Sequence, residues 1–254
     1  MAPLFGPNEN VTAVFASAQA VIGPGEVVPF YVGGDACYQL VGRYGGRVVE
    51  VVVRTDANVL TSIELAAALD GLPITLLLNH RKNTSIYAVP EVRTGDADFD
   101  GVFLLNGFPS EVLREALDAP TRGWLLERFR NVNPTLETEN GRLTISVVLR
   151  ATKGLFMLPY GREIPPAEIA VWFDALLAIA NRLIASFHRQ RDGIARTRGT
   201  LAAEQWVRHH VDAMEGRTNR RRNLRILLFG VFLGLPVLGA LAVVAAMLAS
   251  MLLR

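Results

Sequence analysis

The chain has 254 residues, half of them hydrophobic, a net charge of +2 and one cysteine. One cysteine, Cys37, excludes an intramolecular disulfide, and the small net charge hides an uneven distribution. Arginines cluster between Arg182 and Arg225, whereas Asp and Glu are commoner before residue 175; lysine occurs only at Lys82 and Lys153, which reads as the codon composition of a GC-rich genome.

The opening MAPLFGPNENV has neither a basic n-region nor an apolar h-region, so no signal peptide is expected. Residues 8 to 22 predict a first helix, with Asn8 as cap and Val11, Val14, Phe15, Ala18 and Ile22 on one face. Strands are expected at Val27–Val32, Tyr38–Tyr44 and Arg47–Arg54, the last two joined as a hairpin by Gly45-Gly46. Thr61 and Glu64 have capping-box spacing and predict a short helix over Ser62–Leu69. Further strands are expected at Leu72–Leu78, Ser85–Val92 and Phe99–Leu105, then helices at Pro109–Leu117 and Thr121–Phe129. Asn140-Gly141 marks a second hairpin between Thr135–Glu139 and Arg142–Arg150. The order of elements implies an α+β domain over residues 1–160, a mixed sheet with packed helices.

Pro165-Pro166 opens the clearest helix, over 165–192, because proline suits a first helical turn. Ile169, Trp172, Phe173, Leu176, Ala180, Leu183, Ile184 and Phe187 form an apolar stripe that packs most economically on the preceding sheet. Residues 193–225 predict a flexible joint at 193–199 and a basic helical stalk, amphipathic from Thr200 to about Glu215. Residues 226–253 are an uncharged run of 28, longer than the roughly 20 a bilayer requires, and predict one transmembrane helix. Arg217, Arg220, Arg221, Arg222 and Arg225 precede this run and only Arg254 follows it. The positive-inside rule then keeps the N-terminal domain in the cytoplasm and sends the C-terminus across the membrane. Gly230 and Gly234 have the GxxxG spacing of closely paired membrane helices, and Pro236 predicts a kink.

Chemistry-bearing patterns are sparse. Asp96-x-Asp98-x-Asp100-Gly101 starts like a calcium loop, but its twelfth position is Gly107 where a bidentate Glu belongs. His80, His188, His209 and His210 have no metal-ligand spacing, and neither Gly33-Gly34 nor Gly45-Gly46 leads into a phosphate-loop pattern. Cys37 with His80 is a conceivable nucleophile and base pair, though packed core suits a lone cysteine better. No cofactor motif is legible, and no nucleic-acid partner is expected, since that needs a basic face interleaved with aromatic residues.

The block from Asp98 to Val148 carries FDGVF at Phe99–Phe103, a helix with Val112, Leu113 and Leu117, the LLERF stretch, and NGRLTISV from Asn140 to Val147. It resembles a bacterial family of membrane-associated proteins of unknown function, whose membrane helices precede the domain. The resemblance implies a cytoplasmic α+β domain tethered to a bacterial membrane and says nothing of catalysis. The expected function is accordingly protein interaction or scaffolding at the inner membrane, the partners being the lipid bilayer and a protein or a second copy. Two alternatives remain open: an enzyme whose Asp96, Asp98, Asp100 and His80 converge in the fold, and a regulator whose arginine-rich stalk reads anionic lipid.

Overall fold

The computed structural model describes residues 9–32, 35–56, 59–82, 91–130, 134–139, 141–148 and 164–215. Eight strands form one sheet in the order β1-β2-β3-β4-β8-β7-β5-β6. They are β1 (Val27–Val32), β2 (Asp35–Tyr44), β3 (Arg47–Asp56), β4 (Val59–Ala68), β5 (Thr75–His80), β6 (Phe103–Phe108), β7 (Pro134–Glu139) and β8 (Arg142–Val148). Helices are α1 (Glu9–Ile22), α2 (Ala97–Val102), α3 (Ser110–Ala116), α4 (Ala119–Phe129) and α5 (Pro166–Arg198). The fold is α+β as expected, but every ladder is antiparallel where a mixed sheet was anticipated.

The first four strands form a meander of consecutive hairpins. Gly45 and Gly46 turn β2 into β3 with φ of 55° and 79°, the left-handed pair that a tight two-residue turn requires. The chain then skips two positions to lay down β5 and β6, and the β7–β8 hairpin returns to fill the gap, β8 on β4 and β7 on β5. Thr138 completes the β5–β7 seam with its side chain, accepting from the Leu76 amide at 2.8 Å and donating to the Ile74 carbonyl at 2.9 Å.

Two expectations are corrected. Ser62–Leu69 is not a helix but most of β4: Ile63, Leu65 and Ala67 alternate with Ser62, Glu64 and Ala66, a period of two that pairing to β3 and β8 stabilises over the alanines' helical propensity. The supposed capping box is part of the ladder, Thr61 Oγ1 donating to the Arg54 carbonyl at 3.1 Å and Glu64 accepting from Arg54 Nε at 2.7 Å. The strand expected at Phe99–Leu105 begins only at Phe103, because the Asp96 carboxylate caps α2 by accepting from the Phe99 amide. The strand at Leu72–Leu78 sits slightly later, at Thr75–His80, and the one expected at Ser85–Val92 falls mostly outside the described residues.

All five helices feed one apolar cluster on one face of the sheet. Val49, Val51 and Val53 of β3, Ile63 and Leu65 of β4, and Leu143 and Ile145 of β8 point into it. From the helices come Val14 and Phe15 of α1, Phe99 of α2, Leu113 of α3, Phe129 of α4, and Trp172, Phe173, Leu176 and Leu183 of α5. Each large apolar side chain so buried contributes about 1.5–3 kcal/mol relative to water. Gly42 permits a close approach of α1 to β2: a Cβ there would stand 2.6 Å from the Ile22 carbonyl oxygen at the end of α1.

The helix α5 buries the stripe its spacing foretold and runs on to Arg198. Residues 193–198, expected to break it, are helical; only Gly199 interrupts, before a helix over 200–215. In that helix Ala203 is buried and the Trp206 ring sits 5.0 Å from Phe187. Among the described residues α5 is the one helix long and apolar enough to cross a membrane, yet half of its apolar window is buried in the body. The apolar run at 226–253 lies outside the described residues.

Candidate functional site

Alternation along a strand sends every second side chain to the face away from the helices. On β1, β2 and β3 that second face carries Val28, Val32, Val41 and Val48, which keep 48, 41, 46 and 45% of their surface exposed. Between and beyond these valines lie polar residues, with Glu50 at the centre, only 8% exposed.

Glu50 accepts from Gln39 Nε2 of β2 at 2.8 Å and from Arg142 Nη1 of β8 at 2.6 Å. β3 and β8 are not neighbours; β4 lies between them, so their backbones stand about 10 Å apart. Contact is possible because β4 offers Ala66 opposite Glu50 and Ala68 opposite Arg142, leaving room above the strand. A nearly buried carboxylate needs such partners, since an unpaired buried charge costs several kcal/mol. Arg54 and Glu64 form a second pair on this face. Burial works against the Arg54 charge, and the Glu64 carboxylate beside it more than offsets that, holding the guanidinium protonated. Thr144 and Ser146 of β8 extend the polar track toward β7. The surface therefore pairs Glu50 and Arg54 within the sheet and flanks them with open valines, which suits contact with another macromolecule.

The edge strand β1 reads VVPFYV, apolar on both faces, and has β2 on one side and, among the described residues, no strand on the other. Pro29 at its middle has no amide hydrogen, which hinders another strand from extending the sheet there. At the opposite edge, β6 is partly covered: Glu91 bridges Asn106 and the Val92 amide donates to the Leu105 carbonyl at 2.8 Å. The open surface near β1 is thus its face and not its edge.

The residues singled out in the sequence are scattered. Cys37 is fully buried on β2, and burial pushes its thiol up, away from a reactive thiolate. His80 ends β5, five strand positions from β2, so the pair does not meet. Asp96 caps α2 and holds Arg122 at 3.0 Å; its bond to the Phe99 amide, then that to Arg122, draws its carboxyl below the usual range. Asp100 accepts from the Thr94 hydroxyl at 2.9 Å and the Thr94 and Gly95 amides at 3.1 Å. These two carboxylates organise the turn into α2. His188 lies on α5, while His209 and His210 lie in the helix over 200–215. Among the described residues no group of three His, Cys, Asp or Glu is placed to hold a metal ion. Arg217, Arg220, Arg221, Arg222, Arg225, Gly230 and Gly234 lie outside the described residues.

Sequence reasoning missed Glu50, Gln39 and Arg142. The valine alternation in RVVEVVVR placed Glu50 opposite the core and was available to be read; its partner on β8 was not, because that contact depends on strand order.

No protein-family model and no curated protein matches this chain. Among solved structures, the mycobacterial trehalose monomycolate transport factor A, TtfA, is similar with a TM-score of 0.37 and 11% identity, over 61% of this chain and 75% of that one. The likeness is too low to carry activity or partners from one chain to the other.

Proposed function

We propose that this chain is a membrane-held interaction module of the bacterial inner membrane, its α+β body in the cytoplasm docking a protein through the open face of the sheet. The observation that carries the reading is that face: Glu50 and Arg54 have their charges answered within the sheet, and Val28, Val32, Val41 and Val48 remain exposed around them. Exposed apolar side chains set around paired charges are surface that a docking partner can desolvate. The uncharged run 226–253 supports the anchor, and Arg217, Arg220, Arg221, Arg222 and Arg225 support the orientation. The spacing of Gly230 and Gly234 would let two copies pair inside the bilayer. Kinship with the bacterial membrane-associated family suggested by residues 98–148 belongs to the same reading.

The test is capture from gentle detergent extracts with the wild-type chain and with a Val41→Lys, Val48→Lys variant. The wild type is expected to retain a stoichiometric protein partner, and the variant to lose it while melting as before. A clean wild-type monomer without an enriched partner overturns docking. Recovery of the chain wholly in the aqueous supernatant after ultracentrifugation overturns the anchor. Digestion of the body by protease added to inverted vesicles, which expose the cytoplasmic side, is the outcome expected for the orientation.

A further inference from the structure

A second surface feature lies where β5 ends, away from the valine-rich face. His80, Arg81, Lys82, Gly101, Val102 and Arg130 line a cavity of about 320 Å³, in the size range of small-ligand sites. Its wall carries two guanidinium groups, an ammonium group and an imidazole, and the lining contains no carboxylate.

The four do different work. Arg81 is committed to the framework: its amide donates to the Val102 carbonyl at 2.8 Å and its Nε to the Asp100 carbonyl at 2.9 Å, both at the C-terminal end of α2. Its Nη2 donates to Glu91 at 2.8 Å, and Glu91 is shared with Arg93 at 2.7 Å, so one carboxylate serves two guanidiniums. His80 uses both ring nitrogens. Nδ1 accepts from the Lys82 amide at 3.3 Å, which assigns the proton to Nε2, and that N–H donates to the Arg130 carbonyl at 3.1 Å. The imidazole therefore fastens the backbones of Lys82 and Arg130 to the same wall although they lie 48 positions apart in the sequence (130 minus 82). The Lys82 and Arg130 side chains are exposed and form no ion pair among the described residues. Gly101 keeps the wall low, since a Cβ there would meet nothing within 4 Å.

Two cations without an ion pair among the described residues, held beside a cavity with a further guanidinium behind them that shares its carboxylate, form an arrangement that favours an anion with several acceptor oxygens. From this geometry we infer that the cavity binds a phosphate group, Lys82 and Arg130 contacting it and His80 acting as a positioning residue. Phosphate chemistry has two sources, a soluble phosphate or a phospholipid headgroup. The inference is independent of docking through the valine-rich face, because it uses other residues and another end of the sheet.

Hydrogen exchange of the full chain distinguishes the sources by which of two arms yields protection at the cavity. One arm compares the detergent-solubilised chain in inorganic phosphate with chloride at equal ionic strength. The other compares the chain in phosphatidylcholine nanodiscs with and without phosphatidylglycerol. Protection of segments containing Arg81–Lys82 and Arg130 in the phosphate arm identifies a soluble phosphate ligand; protection there in the phosphatidylglycerol arm alone identifies a headgroup. Lys82→Gln and Arg130→Gln should each weaken the effective arm roughly tenfold, as loss of one charge-assisted contact does, and Arg47→Gln, remote from the cavity, should not. Absence of protection in both arms, or protection unchanged in both Lys82→Gln and Arg130→Gln, overturns the inference. Thermal melting of each variant close to the wild type excludes misfolding as the cause of a loss.

Discussion

The two faces of this sheet are made of the same strands and obey opposite rules. In β3, Val49, Val51 and Val53 face the helices and are fully buried, while Val48 and Glu50 point the other way, one exposed and one bonded across a neighbouring strand. On the helix side the stabilising term is apolar area removed from water, which is large and tolerates no charge. On the open side it is polar pairing above small side chains, which is weaker per residue and leaves surface available for contact. Alternation alone thus separates what holds the body together from what it can present.

Substitutions should expose that asymmetry, and the largest effect belongs to the helix side. Val51→Asp puts an unpartnered charge into the cluster and should abolish the folded body, seen as loss of protease resistance; Phe173→Ala should cost about 3–5 kcal/mol in denaturant titration, the range for an emptied aromatic site. On the open side Glu50→Ala should cost less, about 1–2 kcal/mol, because Arg142 is half exposed and water screens its loss of a partner. A double-mutant cycle with Arg142→Ala should return a coupling energy between the two; additivity would mean that they do not interact in solution. Val48→Thr, smaller still, should change stability by no more than about 0.5 kcal/mol, and a larger loss would place Val48 in a packed core.

Acid sharpens the contrast on the helix side. Ser186 and Arg189 of α5 hold the Glu115 carboxyl of α3 below its ordinary 4.5 through hydrogen bonds at 2.6 Å. Burial pushes Asp118 upward, but the Thr121 hydroxyl and amide, with Arg182 at 3.0 Å, bring it below its ordinary 3.8. Both groups therefore bind fewer protons folded than unfolded, so their stabilisation is present above those ordinary values and is lost as pH falls through the lower folded ones. Melting temperature should drop across that acid window, and Glu115→Gln should make the drop shallower while lowering the neutral-pH value.

Much of this arrangement can be read from the chain, and the exceptions share a cause. The α5 stripe, the Gly45-Gly46 turn, the β7–β8 hairpin and the α1 face follow from local periodicity and turn chemistry, which carry their information within a few residues. β4 was misread because Ala66, Ala67 and Ala68 favour a helix in isolation and become strand only against β3 and β8. The same alanines make room for Glu50 to reach Arg142, so one local misreading concealed both an element and a site. The cavity at His80 was hidden for a similar reason, being assembled from the ends of β5, α2 and α4.

The insertion of β8 and β7 between β4 and β5 also bears on biosynthesis. Ser62 waits for Val148, 86 positions later (148 minus 62), before its ladder exists. A nascent chain that has emitted the meander alone therefore carries a long, unsatisfied rim of amides and carbonyls, an invitation to illicit pairing with a neighbouring polysome product. Maturation of the sheet consequently waits for that seam to close, and a shielding chaperone would have its greatest value while it stands open.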